Sequence, residues 1–470
     1  MLYHAYELQR SWLNSASAFA SIGVEMLNNP ANPFNYIGPM GYMNIGPVAA
    51  SALEVFAHAT ASYGKPAWNL EAIEVDGVAD SVVEATVVNR PFGDLKEFYR
   101  ENLPDDAPRM LVVAPMSGHY ATLLRGTVER MLQNYRVFVT DWADAKTVPL
   151  HEGTFDLDDY MDYVIGFLEH IGEGAHVMAV CQPSVPVFAA TAIMNRDAHP
   201  CAPRTLTMMG GPIDTRCSPT SVNDLAMDRP IEWFRHNVIA TVPMQYRGAG
   251  RRVYPGFMQL AGFMSMNLGN HMMSHYEMFK HLTVGDDESA QATKDFYDEY
   301  RSVCDMTAEF YLQTVQEVFQ DHALPNGTFL HRGKRVDLGD ITRTALLAIE
   351  GERDDISGLG QTKAALELTP RLDASKKRYY MAEGAGHYGI FNGSRWREKI
   401  APVVEEFVQN HETIIVLEVN RDGQMYGILR KELPIDLVPR VHSVAFSDGI
   451  PPRARVYSDM ILEKLEEVGA

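Results

Sequence analysis

The stretch HVMAVCQPSVPVFAATAIM, residues 176–194, reads as two elements meeting at one residue. His176 to Val180 is a short apolar run of the kind that forms a strand buried on both faces. Ser184 onward has helical composition, and Gln182-Pro183 leaves only a sharp turn between the two. Cys181 stands at that junction. A side chain on such a turn is pushed out above the end of a sheet, with backbone N–H groups left free around it. The motif departs from G-x-S-x-G: Ala179 and Pro183 replace the flanking glycines, and a thiol replaces the hydroxyl. Taken alone, a cysteine at a strand end is more often a small buried hydrophobe than a nucleophile.

The pattern repeats outward from this point. IEV (73–75) and VVEATVVN (82–89) suggest an initial hairpin. RMLVVAP (109–115), YRVFVTDW (135–142) and TLTMMGG (205–211) suggest further buried strands, and the strand pattern resumes with ALLAIEG (345–351) and KRYYMAEG (377–384). Amphipathic segments such as 123–135, 157–171 and 396–409 lie between or after them. Strands alternating with helices predict βαβ crossovers and a mostly parallel sheet flanked by helices. The alternation lapses over 212–340, where helical patterns predominate, so an inserted helical cap is expected there.

This divides the chain into an N-terminal helical extension (1–70), a first core part (71–211), the cap (212–340), a second core part (341–411) and a C-terminal appendage (412–470). In the extension, Trp12, Ala16, Phe19, Gly23 and Met26 share one helical face, expected to dock on the main body, with a hydrophobic surface outside it as the alternative. In the appendage, Asp422-Gly423 between IIVLEVN and MYGILRK signals a hairpin.

Two later loops complete a constellation with Cys181. Asp354 follows the strand 345–351 in a G-x-x-D setting, with Asp355 adjacent as an alternative. His387 follows the strand 377–384 in GAGHYG. Nucleophile, acid and histidine, each after a successive strand, is the chain order of an α/β-hydrolase. Asp354 would fix the imidazole tautomer and His387 would deprotonate Cys181. An oxyanion hole would take the backbone N–H of Gln182 and one from Met116 or Ser117 in the loop after strand 109–115.

Composition narrows the function. Of 470 residues, 46% are apolar and 22% charged, as in ordinary globular enzymes. A formal charge of −20 argues against nucleic acid and anionic membrane surfaces as partners. Four cysteines without C-x-x-C spacing argue against a disulfide framework or structural zinc. The N-terminus lacks the pattern of a secretory signal and no apolar run would span a bilayer, so a cytoplasmic protein is expected. His271 and His275 have helical metal-pair spacing, but Met272 stands where H-E-x-x-H has glutamate. GLGQTK (358–363) lacks phosphate-loop spacing. Neither motif is assigned a ligand, and no metal or organic cofactor is called for. Cap methionines 258, 264, 266, 272, 273 and 278 suit an irregular apolar ligand, although packing accounts for most such side chains.

The segments MLYHAYELQRSWL, MLVVAPMSGHYATLLRGTVERML, VMAVCQPSVPV, MGGPIDTR, EGERDDISGLGQT and GAGHYGIFNGSRWR resemble the intracellular polyhydroxyalkanoate, in particular poly(3-hydroxybutyrate), depolymerases. The resemblance implies a cysteine-triad α/β-hydrolase acting on the polyester of cytoplasmic granules, with Cys181, Asp354 and His387 as nucleophile, acid and base. It implies a polyester granule as substrate; a homo-oligomer is compatible with it. More distantly the chain resembles polyester synthases, which use the same triad to build polymer. A third reading is a non-catalytic granule-binding protein.

Overall fold

The computed structural model describes residues 2–28, 45–61, 64–104, 106–266 and 268–410 and, beyond these, 414–418, 424–432, 441–445, 460–461 and 464. Its centre is a nine-stranded sheet: β1 (Ala72–Val75), β2 (Val78–Val88), β3 (Gly93–Arg100), β4 (Arg109–Val113), β5 (Arg136–Trp142), β6 (His176–Val180), β7 (Thr205–Met209), β8 (Ala345–Gly351) and β9 (Lys377–Ala382). The spatial order is β1-β2-β3-β5-β4-β6-β7-β8-β9. The first three strands pair antiparallel and β3 pairs antiparallel with β5. From β5 to β9 every pairing is parallel.

Every residue of β6, β7 and β8 is buried, because crossover helices cover both faces and leave no side for polar alternation. A half-sheet of antiparallel strands leading into a parallel run, with β5 and β4 exchanged in order, is the α/β-hydrolase arrangement. β3 escapes a hydrophobicity reading because its sequence, GDLKEFYR, buries Leu95 and Phe98 between charged residues.

Three helices show how local sequence sets this frame. α1 (Leu2–Asn28) and α2 (Ile45–Thr60) form the N-terminal extension and pack on each other. α3 (Leu157–Ile171) starts at a reciprocal cap, Asp156 accepting from the Asp159 N–H and Asp159 from that of Asp156, and stops at Gly172, whose φ of 90° most side chains resist.

The expected docking face of α1 is corrected. Trp12, Phe19 and Met26 are 69%, 75% and 60% exposed, while Tyr3, Ser17 and Ala20 are buried. Small residues win the interface because they let α2 approach: the Ser17 hydroxyl donates to the Ala57 carbonyl at 2.8 Å, and a Cβ on Gly23 would lie 3.0 Å from Leu53. In α2, Pro47 falls in the first turn, where proline is tolerated.

Between β7 and β8 the chain is mainly helical, including α4 (Gly256–Met266), α5 (Leu268–Val284), α6 (Asp287–Arg301) and α7 (Ala308–Thr314). It also holds a small antiparallel sheet of Ala240–Thr241, Arg252–Tyr254 and Met306–Thr307, whose two- and three-residue strands are too short to leave a period. In the tail the expected hairpin is replaced. Ile414–Glu418 pairs parallel with Val441–Ala445, and the residues read as its second strand lie in the helix Gln424–Glu432. Met425, Ile428 and Leu429 have helical spacing, which outweighs the turn signal of Asp422-Gly423.

Candidate active site

Cys181 leaves β6 with φ of 67°, a left-handed conformation that costs a non-glycine residue strain and is held only where surroundings dictate it. Its N–H donates to the Met209 carbonyl at 2.7 Å, and its carbonyl accepts from the Ser184 N–H at 3.0 Å, which starts the helix Ser184–Arg196. The room a flanking glycine would give comes from the neighbouring strand end. A Cβ on Gly211 would lie 2.2 Å from the Ser184 side chain and 3.2 Å from the Cys181 carbonyl oxygen. The sequence signal for this was the MGG at the end of β7.

Asp354, beyond β8, and His387, beyond β9, meet beside Cys181. The His387 Nδ1 stands 2.7 Å from Asp354 Oδ2, with the histidine ring 3% and the carboxylate 0% exposed. Asp354 Oδ1 accepts the N–H groups of Ile356 (2.9 Å) and Ser357 (2.8 Å), so the carboxylate is fixed at both oxygens. It is Asp354, not Asp355, that reaches the imidazole. The Cys181 side chain lies close enough for its charge to act on the same ring. Burial disfavours the imidazolium, but the charges of Cys181 and Asp354 outweigh it and lift His387 well above the ordinary histidine range.

Met116 and Ser117 lie in the loop after β4 and line the same cleft as Cys181 and Gln182. Among the described residues, the N–H groups of Met116, Ser117 and Gln182 have no acceptor. The cap holds that loop: the Cys304 N–H donates to the Gly118 carbonyl at 2.8 Å, and the His119 Nε2 donates to the Tyr300 carbonyl at 3.0 Å. Burial lowers His119 to about 4, so it stays neutral and serves as a fixed donor.

The cleft measures about 390 Å³ and its walls are largely apolar, with Phe234, Phe310, Tyr311, Val315 and Phe319 from the segment between β7 and β8. Among the described residues, none of the cap methionines named from the sequence lines it. Met278 is fully buried, Met272 and Met273 are exposed, and the side chain of Met266 lies outside the described residues. Sequence reading missed the polar groups of this cleft, Gln259 and Thr314, which carry no motif. His271 Nδ1 bonds the Tyr297 hydroxyl at 3.0 Å, and His275 stacks on the Tyr297 ring.

Comparison with known proteins bears on both halves of this arrangement. Residues 210–412, which include Asp354 and His387, match the family described as PHB de-polymerase C-terminus. The chain is 22% identical over 324 residues, covering 66% of this chain and 84% of the relative, to the poly(3-hydroxyalkanoate) polymerase subunit of Allochromatium vinosum. Among solved structures it is similar to a thermophilic esterase from Thermogutta terrifontis (15% identity, 70% of this chain and 99% of that one, TM-score 0.37). Another is a monoacylglycerol lipase from Paleococcus ferrophilus (12% identity, 65% and 96%, TM-score 0.38). No helix among the described residues is long and apolar enough to cross a membrane. Residues 210–412 are thus similar to the PHB de-polymerase C-terminus family, in a chain whose central sheet has the α/β-hydrolase arrangement.

Proposed function

We propose that the protein hydrolyses the ester bonds of a stored hydroxyacyl polyester of the poly(3-hydroxybutyrate) class through Cys181, His387 and Asp354. The observation that carries this reading is the left-handed Cys181 at the end of β6, beside an imidazole whose Nδ1 is 2.7 Å from a fixed carboxylate.

The raised basicity of His387 suits a thiolate–imidazolium pair. The sulfur adds to an ester carbonyl carbon, and the carbonyl oxygen becomes an oxyanion against the N–H of Gln182 and of Met116 or Ser117. As the tetrahedral centre collapses, His387 passes its proton to the departing alkoxide oxygen, leaving a thioester on Cys181. His387 then takes a proton from water, whose oxygen attacks the thioester; the acid leaves and the sulfur regains its partner. Asp354 holds the imidazole with Nδ1 protonated throughout. The granule surface in the cytoplasm is the setting proposed for this reaction.

A second reading is favoured by the polymerase-subunit relative: the same thioester, attacked by a hydroxyl instead of water, would lengthen a polyester chain. One experiment separates the two. The wild type and Cys181→Ala are incubated with amorphous polyester granules, and in parallel with a 3-hydroxybutyryl thioester. Soluble 3-hydroxyacyl product released from granules by wild type and absent with the variant supports the depolymerase. Polymer formed from the thioester without release from granules overturns it in favour of the synthase. Activity retained by Cys181→Ala removes the cysteine from either mechanism.

A further inference from the structure

The cleft above Cys181 is largely apolar, and among the polar atoms of the residues lining it four are unusual. Both polar atoms of the Gln182 side-chain amide, Oε1 of Gln259 and the hydroxyl of Thr314 are buried without a hydrogen-bond partner among the described residues. All three residues line the cleft. Leaving such a group unsatisfied forfeits its hydration with nothing in return, so buried polar atoms are nearly always paired. Three together on the wall of one cleft beside a nucleophile mark positions where a ligand supplies the partners.

Their chemistry selects the ligand. Gln259 extends from α4, and its amide oxygen lies over Gly118, where a Cβ would stand 2.7 Å away; the missing side chain there makes the space it occupies. The buried atom is an oxygen, which accepts hydrogen bonds and cannot donate one. The Gln182 amide offers a second acceptor together with a donor. The repeating unit of a polyester carries only acceptors, its carbonyl and ester oxygens. Internal units can therefore satisfy the Gln182 N–H and the Thr314 O–H, but no internal unit can satisfy an amide oxygen. On a polyester at neutral pH the one O–H donor is the hydroxyl at the chain terminus, since the other terminus is an ionised carboxylate.

We infer that Gln259, with the Gln182 side-chain amide, receives the terminal hydroxyl of a hydroxyacyl chain, so that the cleft reads chain ends and short hydroxyl-terminated oligomers in preference to internal repeats. This rests on the polyester reading of the site and specifies the end of the substrate it takes. The apolar walls from Phe310, Val315 and Phe319 would then cover the alkyl part of the terminal units.

The test compares two soluble linear trimers of 3-hydroxybutyrate, one with its free terminal hydroxyl and one in which the terminal unit is butanoate, lacking only that O–H. Full-length wild type should show kcat/KM lower on the butanoyl-ended trimer by about tenfold or more, the direction expected of a site with a polar group left unpaired by the wrong substrate. In Gln259→Leu, which replaces the acceptor with an apolar side chain of similar reach, the ratio between the two trimers should fall to about one. Equal kcat/KM on both trimers in the wild type overturns the inference while leaving polyester hydrolysis standing. So does an unchanged ratio in Gln259→Leu. Cleavage of p-nitrophenyl butanoate with no cleavage of either trimer by wild type overturns the polyester reading and the end recognition with it. The wild-type comparison needs no variant to fold.

Discussion

Asp354 is bound at both ends of its carboxylate: Oδ2 lies 2.7 Å from His387 Nδ1, and Oδ1 takes the N–H groups of Ile356 and Ser357. A carboxylate held by two backbone donors cannot swing away from the imidazole, so it imposes one tautomer and one ring orientation on His387. The neighbouring Asp355 does not share this geometry; its charge is instead felt by Tyr300 and Tyr388.

Asp354→Asn should keep the fold and reduce kcat on a small p-nitrophenyl ester by about 10³ to 10⁴-fold, because an amide presents the wrong group to Nδ1. Asp355→Asn should cost less than about tenfold under the same assay, since the carboxylate that bonds His387 is that of Asp354. Equal losses in the two variants would show that the pair acts only as a field of negative charge.

Gly210 sits at the end of β7 with φ of 59°, directly under this pair. A Cβ there would stand 2.8 Å from Ile390, 3.2 Å from Asp354 Oδ2 and 3.2 Å from His387 Cε1. Gly210→Ala should therefore displace the imidazole by a fraction of an ångström and lower kcat by about 10²-fold, a typical consequence of small misplacement in a reacting constellation. Circular dichroism run beside the ester assay distinguishes this from unfolding; near-wild-type turnover would show that the ring tolerates the shift.

The GLGQTK loop, rich in glycine as phosphate loops are, spends its N–H groups internally. Gly360, Thr362 and Lys363 donate to the carboxylate of Glu350 in β8 at 2.8–3.0 Å, and the Tyr379 hydroxyl donates to it at 2.8 Å. An anion of the chain itself fills the cradle. Glu350→Ala should destabilise the protein by about 3 kcal/mol, because it strands one buried and three part-buried donors. Urea denaturation of the two proteins at pH 7 gives the difference directly, and a change below about 0.5 kcal/mol would mean the loop finds other acceptors.

Which parts of this molecule could be read from sequence follows from how many causes act on each residue. Cys181 and Asp354 were legible because each follows a strand buried on both faces, which leaves an apolar run, and His387 because it follows the half-buried edge strand KRYYMA in a glycine-rich loop. β3 was not, since Asp94, Lys96 and Glu97 interrupt its two buried residues. α1 is apolar on more than one side, so its period located a helix but could not choose between the Trp12 face and the Ser17/Ala20 face. The choice is made by α2, whose small residues accept a close neighbour. Gln259 and Thr314 have no local signature at all: they matter because folding brings α4 and α7 over the end of β6.

Phe19→Ser follows from that correction. With its ring 75% exposed, Phe19 should be replaceable at a cost within about 0.5 kcal/mol. A fall of several degrees in Tm would place the Trp12/Phe19 face in an interface within the protein or between copies of it.

The last prediction concerns pH and the joint between α1, the cap and the core. Asp305 accepts the Tyr3 hydroxyl at 2.6 Å and the Gly256 N–H at 2.9 Å, and its own N–H donates to Asp144 at 3.1 Å. Lys146 pairs with Asp144 at 2.7 Å and the Tyr120 hydroxyl donates to Asp144 at 3.2 Å, so two buried carboxylates share one cation. Burial first, and then the charge of Asp144, raise Asp305 from 3.8 to about 6. Between those two values the folded protein holds a proton that the unfolded chain has released. By linkage, the contribution of this group to stability is complete below pH 4 and is lost as pH rises through 6. Asp305→Asn cannot lose it. Relative to wild type, the variant should therefore gain stability as pH rises from about 4 to about 7, by on the order of 2 kcal/mol. The measurement is the urea midpoint of both proteins at intervals across that range, taken as a difference so that carboxylates common to both cancel. A difference that stays flat with pH would show that Asp305 is ionised throughout and that Lys146 serves both carboxylates equally.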